Sequence, residues 1–229
     1  MTAAFYQNKD TFLVAVDCII IGFRDNDLQI LISRRPIEPF RGGWSLMGGF
    51  VNAQENIPEA AKRVVGEFTG IEDIYLEQVG AYGDIDRDVE RVISVAYYAL
   101  VDIEKFDTSL AEKHDAHWVK ITLLPELVFD HNKMVRDTIK LLQQRAAVRP
   151  IGFNLLGDLF TLPTLQSLYE SIYQETIDKR NFRKKLLTMD ILEKLEEKDK
   201  SSSKRGAFYY NYNKEKYDQL IEQGLHFSL

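Results

Sequence analysis

Residues 49–71, GFVNAQENIPEAAKRVVGEFTGI, decide how the rest of the chain is interpreted. The middle of this stretch has the features of a helix: Pro58 suits a first helical turn, Glu59 lies near the positive helix end, and Gly70 suits the stop. Gly48 and Gly49 at its start permit a close approach of backbone. We therefore predict a helix over residues 58–68 between two loops.

The same stretch resembles a Nudix box, the loop–helix–loop that holds a divalent metal against a diphosphate in Nudix hydrolases. The family pattern is G-x5-E-x7-R-E-U-x-E-E-x-G-U, where U is a large aliphatic residue. The matching residues are Gly49, Glu55, Arg63, Val65, Glu67, Gly70 and Ile71. Val64 and Phe68 stand where the family has glutamates, so two carboxylates of the pattern are missing.

The missing glutamates remove most of the charge that a metal site requires. Mg²⁺ takes hard oxygen ligands, usually carboxylates together with phosphates and waters. Positions 64 and 68 lie one above the other on a helix, so Val64 and Phe68 should form a buried apolar stripe. An intrahelical ion pair with Arg63 explains Glu67, and Glu55 alone does not build a metal site. The stretch predicts no catalytic residue, no metal and no cofactor, and a cleft that binds a ligand without turnover.

The composition indicates an ordinary globular protein of 229 residues, 45% hydrophobic and 28% charged. Cys18, the single cysteine, lies in the apolar run VAVDCIIIGF, and we expect a buried thiol in a strand. A chain that cannot form an internal disulfide fits a reducing cytoplasm. The N-terminus lacks the basic and apolar regions of a secretion signal, and the apolar runs are shorter than the ~20 residues of a membrane span. We expect a cytoplasmic protein without membrane contacts.

The order of apolar runs predicts an α+β fold. Buried strands over 12–22 and 28–34 are joined by a polar turn, a short strand begins near Trp44, and a hairpin over 74–83 and 91–101 encloses a charged loop. With a strand near 117–119 and a helix over about 132–147, residues 1–149 should form a Nudix-like αβα sandwich around a mixed sheet. Two helices over about 164–173 and 178–189, followed by two strands around a Lys/Ser-rich tip, predict an α/β winged helix-turn-helix domain over 150–229.

The region of the predicted cleft supplies candidate effector-binding residues. Arg87 and Asp88, in the hairpin loop, are placed at the mouth of the cleft. Trp44 and Tyr82 are candidates to stack on a ligand, although packing is the commoner role of such side chains. The aspartates of the loop could hold a metal, but solvated loop charges are the commoner explanation. The predicted effector set is Trp44, Phe50, Glu67, Tyr82, Asp86, Arg87 and Asp88.

Charge is distributed unevenly along the chain. Of the net −6, residues 1–150 contribute 17 Lys/Arg against 23 Asp/Glu, whereas residues 151–229 hold 12 of each. Within the second part, five positive charges fall between positions 179 and 185. A chain that is acidic overall can still carry such a local basic footprint for nucleic acid.

The basic helix is predicted to read DNA. Phe182 and Leu186 should face the core, which points Arg180, Arg183 and Lys184 outward. Arginine can form two hydrogen bonds to guanine, and asparagine can form two to adenine, whereas lysine binds phosphates. Arg180 and Arg183 are therefore the predicted specificity residues. A solvated amphipathic helix is the alternative. The predicted DNA-binding set is Thr164, Gln166, Lys179, Arg180, Asn181, Arg183, Lys184, Lys185, Lys204 and Arg205.

The two parts together resemble one family, the Nudix-related transcriptional regulators, in which a degenerate Nudix domain is fused to a winged helix-turn-helix. The segments that carry the resemblance are YLEQVGAYGDIDRD (75–88), RVISVAYYAL (91–100), FTLPTLQSLYESIY (160–173) and DKRNFRKKLL (178–187). The resemblance implies a homodimer that binds a palindromic double-stranded DNA operator, and an effector in the Nudix domain that changes the affinity for DNA.

Within that family the chain is most similar to the arabinose-responsive branch, particularly in RGAFYYNYNKEKY (205–217). This likeness implies a repressor of sugar-utilisation genes that a small pentose, L-arabinose, releases from its operator through a shift between dimer arrangements. Two alternatives remain open: an ADP-ribose-responsive regulator of NAD metabolism, and an active Mg-dependent Nudix pyrophosphohydrolase.

Overall fold

A long first strand forms the centre of the larger sheet in the computed structural model, which describes residues 9–71, 74–200 and 205–224. The strand β1 (Leu13–Arg24) pairs antiparallel with β2 (Asp27–Arg34). Asp25 and Asn26 in the turn between them both have positive φ, 54° and 61°. Such a two-residue turn matches the right-handed twist of the strands, and Asp and Asn are among the few residues that tolerate it.

The remaining strands complete a mixed seven-stranded sheet. Strand β3 (Trp44–Ser45) pairs with β2, and β4 (Met47–Phe50) pairs with the first half of β1. Strand β5 (Tyr75–Tyr82) forms the predicted hairpin with β6 (Val92–Leu100), which runs parallel to β1, and β7 (Ala116–Lys120) pairs with β2. One edge of β1 therefore contacts β4 and then β2, while the other edge contacts β6.

Helices cover both faces of this sheet. They are α1 (Ile57–Thr69), the short α2 (Thr108–Lys113) and α3 (His131–Val148). Because successive strand residues point to opposite faces, Cys18 and Ile20 pack with α1, whereas Ile19 and Ile21 pack with α3. This burial on both faces explains the uninterrupted apolar run of β1. The predicted αβα sandwich with a mixed sheet is confirmed.

The residues at both ends of the Nudix-box helix explain where it begins and ends. The Asn56 side chain accepts a hydrogen bond from the Glu59 N–H, and the Glu59 side chain accepts one from the Asn56 N–H, which is a capping box. Gly70 ends the helix in the left-handed conformation at φ 72°. The helix therefore starts one residue before the predicted 58.

The second part of the chain has the order of a winged helix. Strand β8 (Leu159–Thr161) leads into α4 (Leu162–Tyr173) and the basic helix α5 (Lys179–Thr188). Strands β9 (Leu192–Asp199) and β10 (Ala207–Tyr212) form the wing, in a sheet of order β8-β10-β9, and α6 (Lys214–Glu222) follows. The predicted winged fold is confirmed, while β8 and α6 were not predicted.

The two parts share one hydrophobic core. Leu142 and Ala146 of α3 belong to the same buried cluster as Leu165 and Leu168 of α4. Across the junction, the Gln143 side chain donates to the Ile172 carbonyl at 3.0 Å. The predicted boundary at residues 149–150 stays a prediction. None of the helices within the described ranges is long and apolar enough to cross a membrane.

Candidate effector cleft and nucleic-acid interface

A cleft of about 260 Å³ opens beside the Nudix box, between β4, the residues after β2 and the start of α3. Its wall includes Phe50, whose surface is 55% exposed, and Phe68 from α1. The side chains that give the cleft its polar and aromatic character are Asp17, Arg35, Phe50, Phe68, Arg87, Asp88, Phe129 and His131. The predicted cleft therefore exists, and Phe50, Arg87 and Asp88 of the predicted effector set line it.

The floor of the cleft is a buried polar cluster centred on Asp17. Ser94 Oγ donates to Asp17 Oδ2 at 2.6 Å, and His131 Nε2 lies 3.4 Å from Asp17 Oδ1. Because His131 Nδ1 accepts a hydrogen bond from the Leu46 N–H at 3.1 Å, the imidazole proton must be on Nε2, facing Asp17. Burial lowers the pKa of His131 below its ordinary value, although Asp17 and Asp130 oppose this effect. The floor is therefore built around a neutral histidine and a satisfied carboxylate.

Arg87 lies deeper in the cleft than the sequence analysis predicted. It is only 8% exposed, and its guanidinium donates two hydrogen bonds to Asp130, at 2.8 and 3.1 Å, with Asp17 at 3.6 Å. Arg87 is buried because the loop after β5 folds back onto the start of α3, where Asp130 supplies the counter-charge. Its contact with an effector stays a prediction. A buried guanidinium is stable only when it is paired with an opposite charge.

The retained charges of the Nudix box are paired with one another. Arg63 donates to both oxygens of Glu55, at 2.7 and 2.9 Å, and contacts Glu67 at 3.3 Å. Hydrogen bonds from Arg63 lower the pKa of Glu55 to about 2. The predicted pair of Glu67 with Arg63 is confirmed, but Glu55 is the stronger partner. No three His, Cys, Asp or Glu side chains within the described ranges are grouped so that they could hold a metal ion.

The apolar stripe of the box is only partly as predicted. Val64 is buried against the core on the α1 side of the sheet. Phe68 is half-buried, with its ring 4.4 Å from that of His114, and it also lines the cleft. The side chain that replaces the second glutamate thus gives the cleft an apolar wall where the family pattern has a charge.

Four members of the predicted effector set do not line the cleft. Tyr82 faces α3 and donates to Asp137 at 3.0 Å, and the guanidinium of Arg34 covers the ring of Trp44 at 3.7 Å. Glu67 is exposed on α1, and Asp86 is exposed in the loop before β6. For Tyr82 and Trp44, the commoner packing role is the observed one.

The outward face of α5 carries the exposed side chains expected of a DNA-reading helix. Phe182 and Leu186 are buried as predicted, while Lys179, Arg180, Asn181, Lys184 and Lys185 are exposed. Asp178 caps the helix by accepting from the Asn181 N–H at 2.8 Å. The prediction for Arg183 needs correction, because its side chain is half-buried. The Arg183 side chain lines a hollow beside Ala207 and Phe208 of β10, so the wing covers part of it.

The other predicted DNA-binding residues have different surroundings. Gln166 donates to Glu170 at 2.9 Å and to the Ile177 carbonyl at 3.3 Å, so its amide nitrogen already braces the turn between α4 and α5. Thr164 shares a hydrogen bond with Thr161, the cap of α4, at 2.9 Å. Arg205 is exposed at the start of the wing's return strand, and Lys204 lies outside the described residues.

The acidic and imidazole groups of the cleft floor were not predicted from the sequence. A signal for Asp17 was present, since a lone carboxylate inside an apolar strand must find a partner. His131 and Ser94 gave no such signal, because their partners are brought to them only by the tertiary fold.

The fold and these two sites define a class of protein, a Nudix domain followed by a winged helix domain. The family comparisons agree: residues 11–138 match the NUDIX domain, and residues 152–212 match the NrtR DNA-binding winged helix domain. Together the two matches cover most of the chain.

Individual relatives identify the family of the chain more closely. The ADPR responsive transcriptional repressor NtrR of Acinetobacter baylyi is 31% identical over 222 residues, which span 94% of this chain and 88% of the relative. The crystal structure of Shewanella oneidensis NrtR complexed with a 27mer DNA superposes with a TM-score of 0.81 at 27% identity, covering 90% of this chain and 95% of that one. The chain belongs to the NrtR-type family of Nudix-related transcriptional regulators. The predicted family is thereby confirmed, and these relatives give no support to the arabinose branch.

An enzyme is also similar to part of this chain. The ADP-ribose pyrophosphatase of Methanocaldococcus jannaschii is 33% identical over 129 residues, 56% of this chain and 73% of the enzyme. The matched residues make up just over half of this chain.

Proposed function

We propose that the chain is a DNA-binding transcriptional repressor whose Nudix domain binds ADP-ribose without hydrolysing it. The observation that carries this proposal is an open cleft beside a Nudix box in which two glutamates are replaced and the remaining two are paired with Arg63. A cleft without its metal-binding carboxylates can still bind a ligand. The effector is proposed from the relative that is an ADPR responsive repressor over nearly the whole chain.

The cleft offers groups that suit the parts of ADP-ribose. Phe50, which is 55% exposed in the wall of the cleft, presents an aromatic ring on which an adenine can stack. Arg35 lines the cleft, with its guanidinium 5.0 Å from the Phe129 ring, and has no carboxylate partner among the residues described. Because Arg87 is already paired with Asp130, we assign Arg35 to the diphosphate.

The output is proposed to be release from DNA. Arg180, Asn181 and Lys184 are exposed on α5 and reach the major groove, and the effector lowers this binding. The homodimer, the palindromic operator, regulation of NAD metabolism and the cytoplasmic location stay predictions. The predicted pentose effector has no observation in its favour, so the ADP-ribose alternative replaces it as the main proposal.

Ligand binding is tested by thermal unfolding with ADP-ribose and with L-arabinose in parallel. A ligand that binds only the folded state stabilises it by about 2.7 kcal/mol at 100 times its Kd. We expect ADP-ribose to raise the unfolding temperature and L-arabinose to leave it unchanged. Phe50→Ala should weaken the shift, whereas Leu123→Ala, an exposed residue outside the cleft, should preserve it.

Turnover is tested by incubating the protein with ADP-ribose and Mg²⁺ and separating the products. We expect intact ADP-ribose after prolonged incubation. Release of AMP that Glu67→Gln abolishes would instead identify an active pyrophosphohydrolase. Stabilisation by L-arabinose alone would return the assignment to the sugar-responsive branch.

A further inference from the structure

A hollow of about 430 Å³ lies between the start of α4, the first turns of α5 and the beginning of β10. Lys179 and Arg183 of α5 contribute its charge, and Pro163, Phe208 and Tyr210 contribute apolar walls. No acidic side chain lines this hollow among the residues described. A concave site with two cations and no carboxylate is suited to an anion.

Arg183 has an unmet hydrogen-bonding requirement in this hollow. Its Nε atom is buried and has no hydrogen-bond partner within the described ranges. A buried donor without a hydrogen-bond partner lowers the stability of the folded protein. An acceptor that binds at the site removes this cost. A guanidinium matches the paired oxygens of a phosphate group, so a phosphate fits this requirement.

The wing adds positive charge next to the hollow. Lys194 and Lys198 of β9 both lie over the ring of Phe208, at 3.7 and 4.2 Å. Cations positioned on an aromatic face are attracted to it and held in place. Since Phe208 also lines the hollow, the two lysines lie against a side chain that forms part of its wall.

We propose that this hollow holds a phosphodiester group of the bound DNA backbone, with Arg183 and Lys179 as its ligands. Arg183 then positions the protein on the duplex, and sequence is read by Arg180 and Asn181 on the exposed face. The proposal rests on the proposed function as a DNA-binding protein. In this proposal the half-buried Arg183 contacts a phosphate, whereas the exposed Arg180 and Asn181 contact bases. Phosphate contacts position a protein on DNA, and base contacts specify the sequence.

The test compares two duplexes across a series of salt concentrations. One duplex is selected by the wild-type protein from a random pool, and the other is its scrambled counterpart. Arg183→Ala should lower the affinity for both duplexes by the same factor and reduce the slope of log K against log[salt] by about 1. Arg180→Ala should lower the affinity for the selected duplex at least tenfold more than that for the scrambled one.

Two further variants keep the result interpretable if Arg183→Ala is poorly folded. Arg183→Lys retains the charge and should preserve the salt slope, while Lys179→Ala should reduce it for both duplexes alike. The proposal is overturned if Arg183→Ala loses only the preference for the selected duplex and keeps the wild-type slope.

Free phosphate is the other source of the same chemistry. If inorganic phosphate stabilises the unbound protein through Arg183 while the DNA salt slope of Arg183→Ala stays at the wild-type value, the hollow is a free-anion site and the DNA assignment is wrong. If the wild-type protein selects no duplex at all, the proposed function fails together with this inference, which distinguishes that outcome from a failure of the hollow alone.

Discussion

Single residues decide whether the Nudix box can bind a metal ion or instead forms an apolar wall of the cleft. Val64 is buried and Phe68 faces the cleft, so the positions of two carboxylates now hold apolar side chains. Arg63, which the family pattern retains, takes both remaining glutamates as partners. The loss of catalysis that we propose therefore follows from two substitutions and one arginine.

Gly48 is required because it lies directly opposite Asp17 in the antiparallel pair of β1 and β4. A Cβ at position 48 would lie 2.5 Å from Asp17 Oδ1 and 3.0 Å from the Val16 carbonyl oxygen. We expect Gly48→Ala to lower the free energy of unfolding by roughly 1–3 kcal/mol. In Gly80→Ala, the new Cβ meets no atom within 4 Å, so this control should change stability by less than about 0.5 kcal/mol. Urea denaturation of both variants is the measurement, and equal stabilities would contradict the clash.

His131 should make stability depend on pH. Its pKa is lowered in the folded state, so the unfolded state binds the proton more readily. The stabilisation is present above the unfolded pKa of about 6.5 and is lost as the pH falls below it, with a slope of at most about 1.4 kcal/mol per pH unit. In His131→Asn, whose side-chain oxygen can accept the Leu46 N–H, this part of the slope between pH 6.5 and 5 should disappear.

The control for this pH effect is His117→Asn, because the His117 side chain is 52% exposed whereas that of His131 is only 3% exposed. It should retain the wild-type slope in urea denaturation across the same pH range. Identical slopes for the wild-type protein and His131→Asn would show that His131 is not the titrating group.

At the scale of elements, α3 connects the cleft to the winged helix domain. Its first residue, His131, lies on the cleft floor, and Gln143 near its other end bonds to α4. The preceding Asp130 holds Arg87 in the cleft. A ligand that moves Arg87 or His131 therefore acts directly on the helix against which the DNA-binding domain packs.

Glu77 fastens the end of α3 to the sheet. It accepts hydrogen bonds from Tyr75 and Tyr98 at 2.7 and 2.8 Å, and Arg145 donates to it at 2.6 Å. Burial raises the pKa of Glu77, but these hydrogen bonds outweigh burial and leave the pKa below its ordinary value. We expect Glu77→Gln to lower the free energy of unfolding by about 1–2 kcal/mol, since the partly exposed Arg145 remains hydrated. Chemical denaturation should show no comparable loss for Glu126→Gln, an exposed control.

The elements that could be predicted are those whose signals are local. The helices α1 and α5 were predicted to within two residues, because Pro58, Gly70 and Asp178 mark their ends. Strand β8 has only three residues, and its partner in β10 lies about fifty positions later, so no local pattern reveals it. The half-burial of Arg183 likewise depends on the wing, which a helical projection does not contain.

At the scale of the whole molecule, the common core should make the two domains unfold together. Both tryptophans, Trp44 and Trp118, lie in the Nudix domain, so their fluorescence reports only on that domain. Leu165→Ala, in the buried core of α4, should lower the transition temperature reported by tryptophan by about 4 °C or more. Leu187→Ala, an exposed control on α5, should leave it nearly unchanged.

Calorimetry provides the second measurement of this coupling. One transition, at the temperature given by fluorescence, is expected for the wild-type protein. Two separated transitions, with the fluorescence midpoint unaffected by Leu165→Ala, would mean that the domains unfold independently.

The order of the domains could be predicted from the sequence, but the effector could not. The segment that suggested the arabinose branch, residues 205–217, supplies β10 and the start of α6 in the winged helix domain. None of its described residues lines the Nudix cleft. Likeness in that segment therefore carries no information about the ligand, which depends on side chains that the fold assembles from β1, β4, α1 and α3.

Regulation by ADP-ribose is tested by the affinity for the selected duplex as ADP-ribose is added, measured by fluorescence anisotropy with EDTA present. A ligand shifts the DNA equilibrium only by its differential affinity for the free and DNA-bound states. We predict that saturating ADP-ribose weakens DNA binding at least fivefold and that Phe50→Ala requires more ADP-ribose for the same effect. An affinity that ADP-ribose leaves unchanged, or that L-arabinose alone lowers, would contradict the proposal that ADP-ribose releases the protein from DNA.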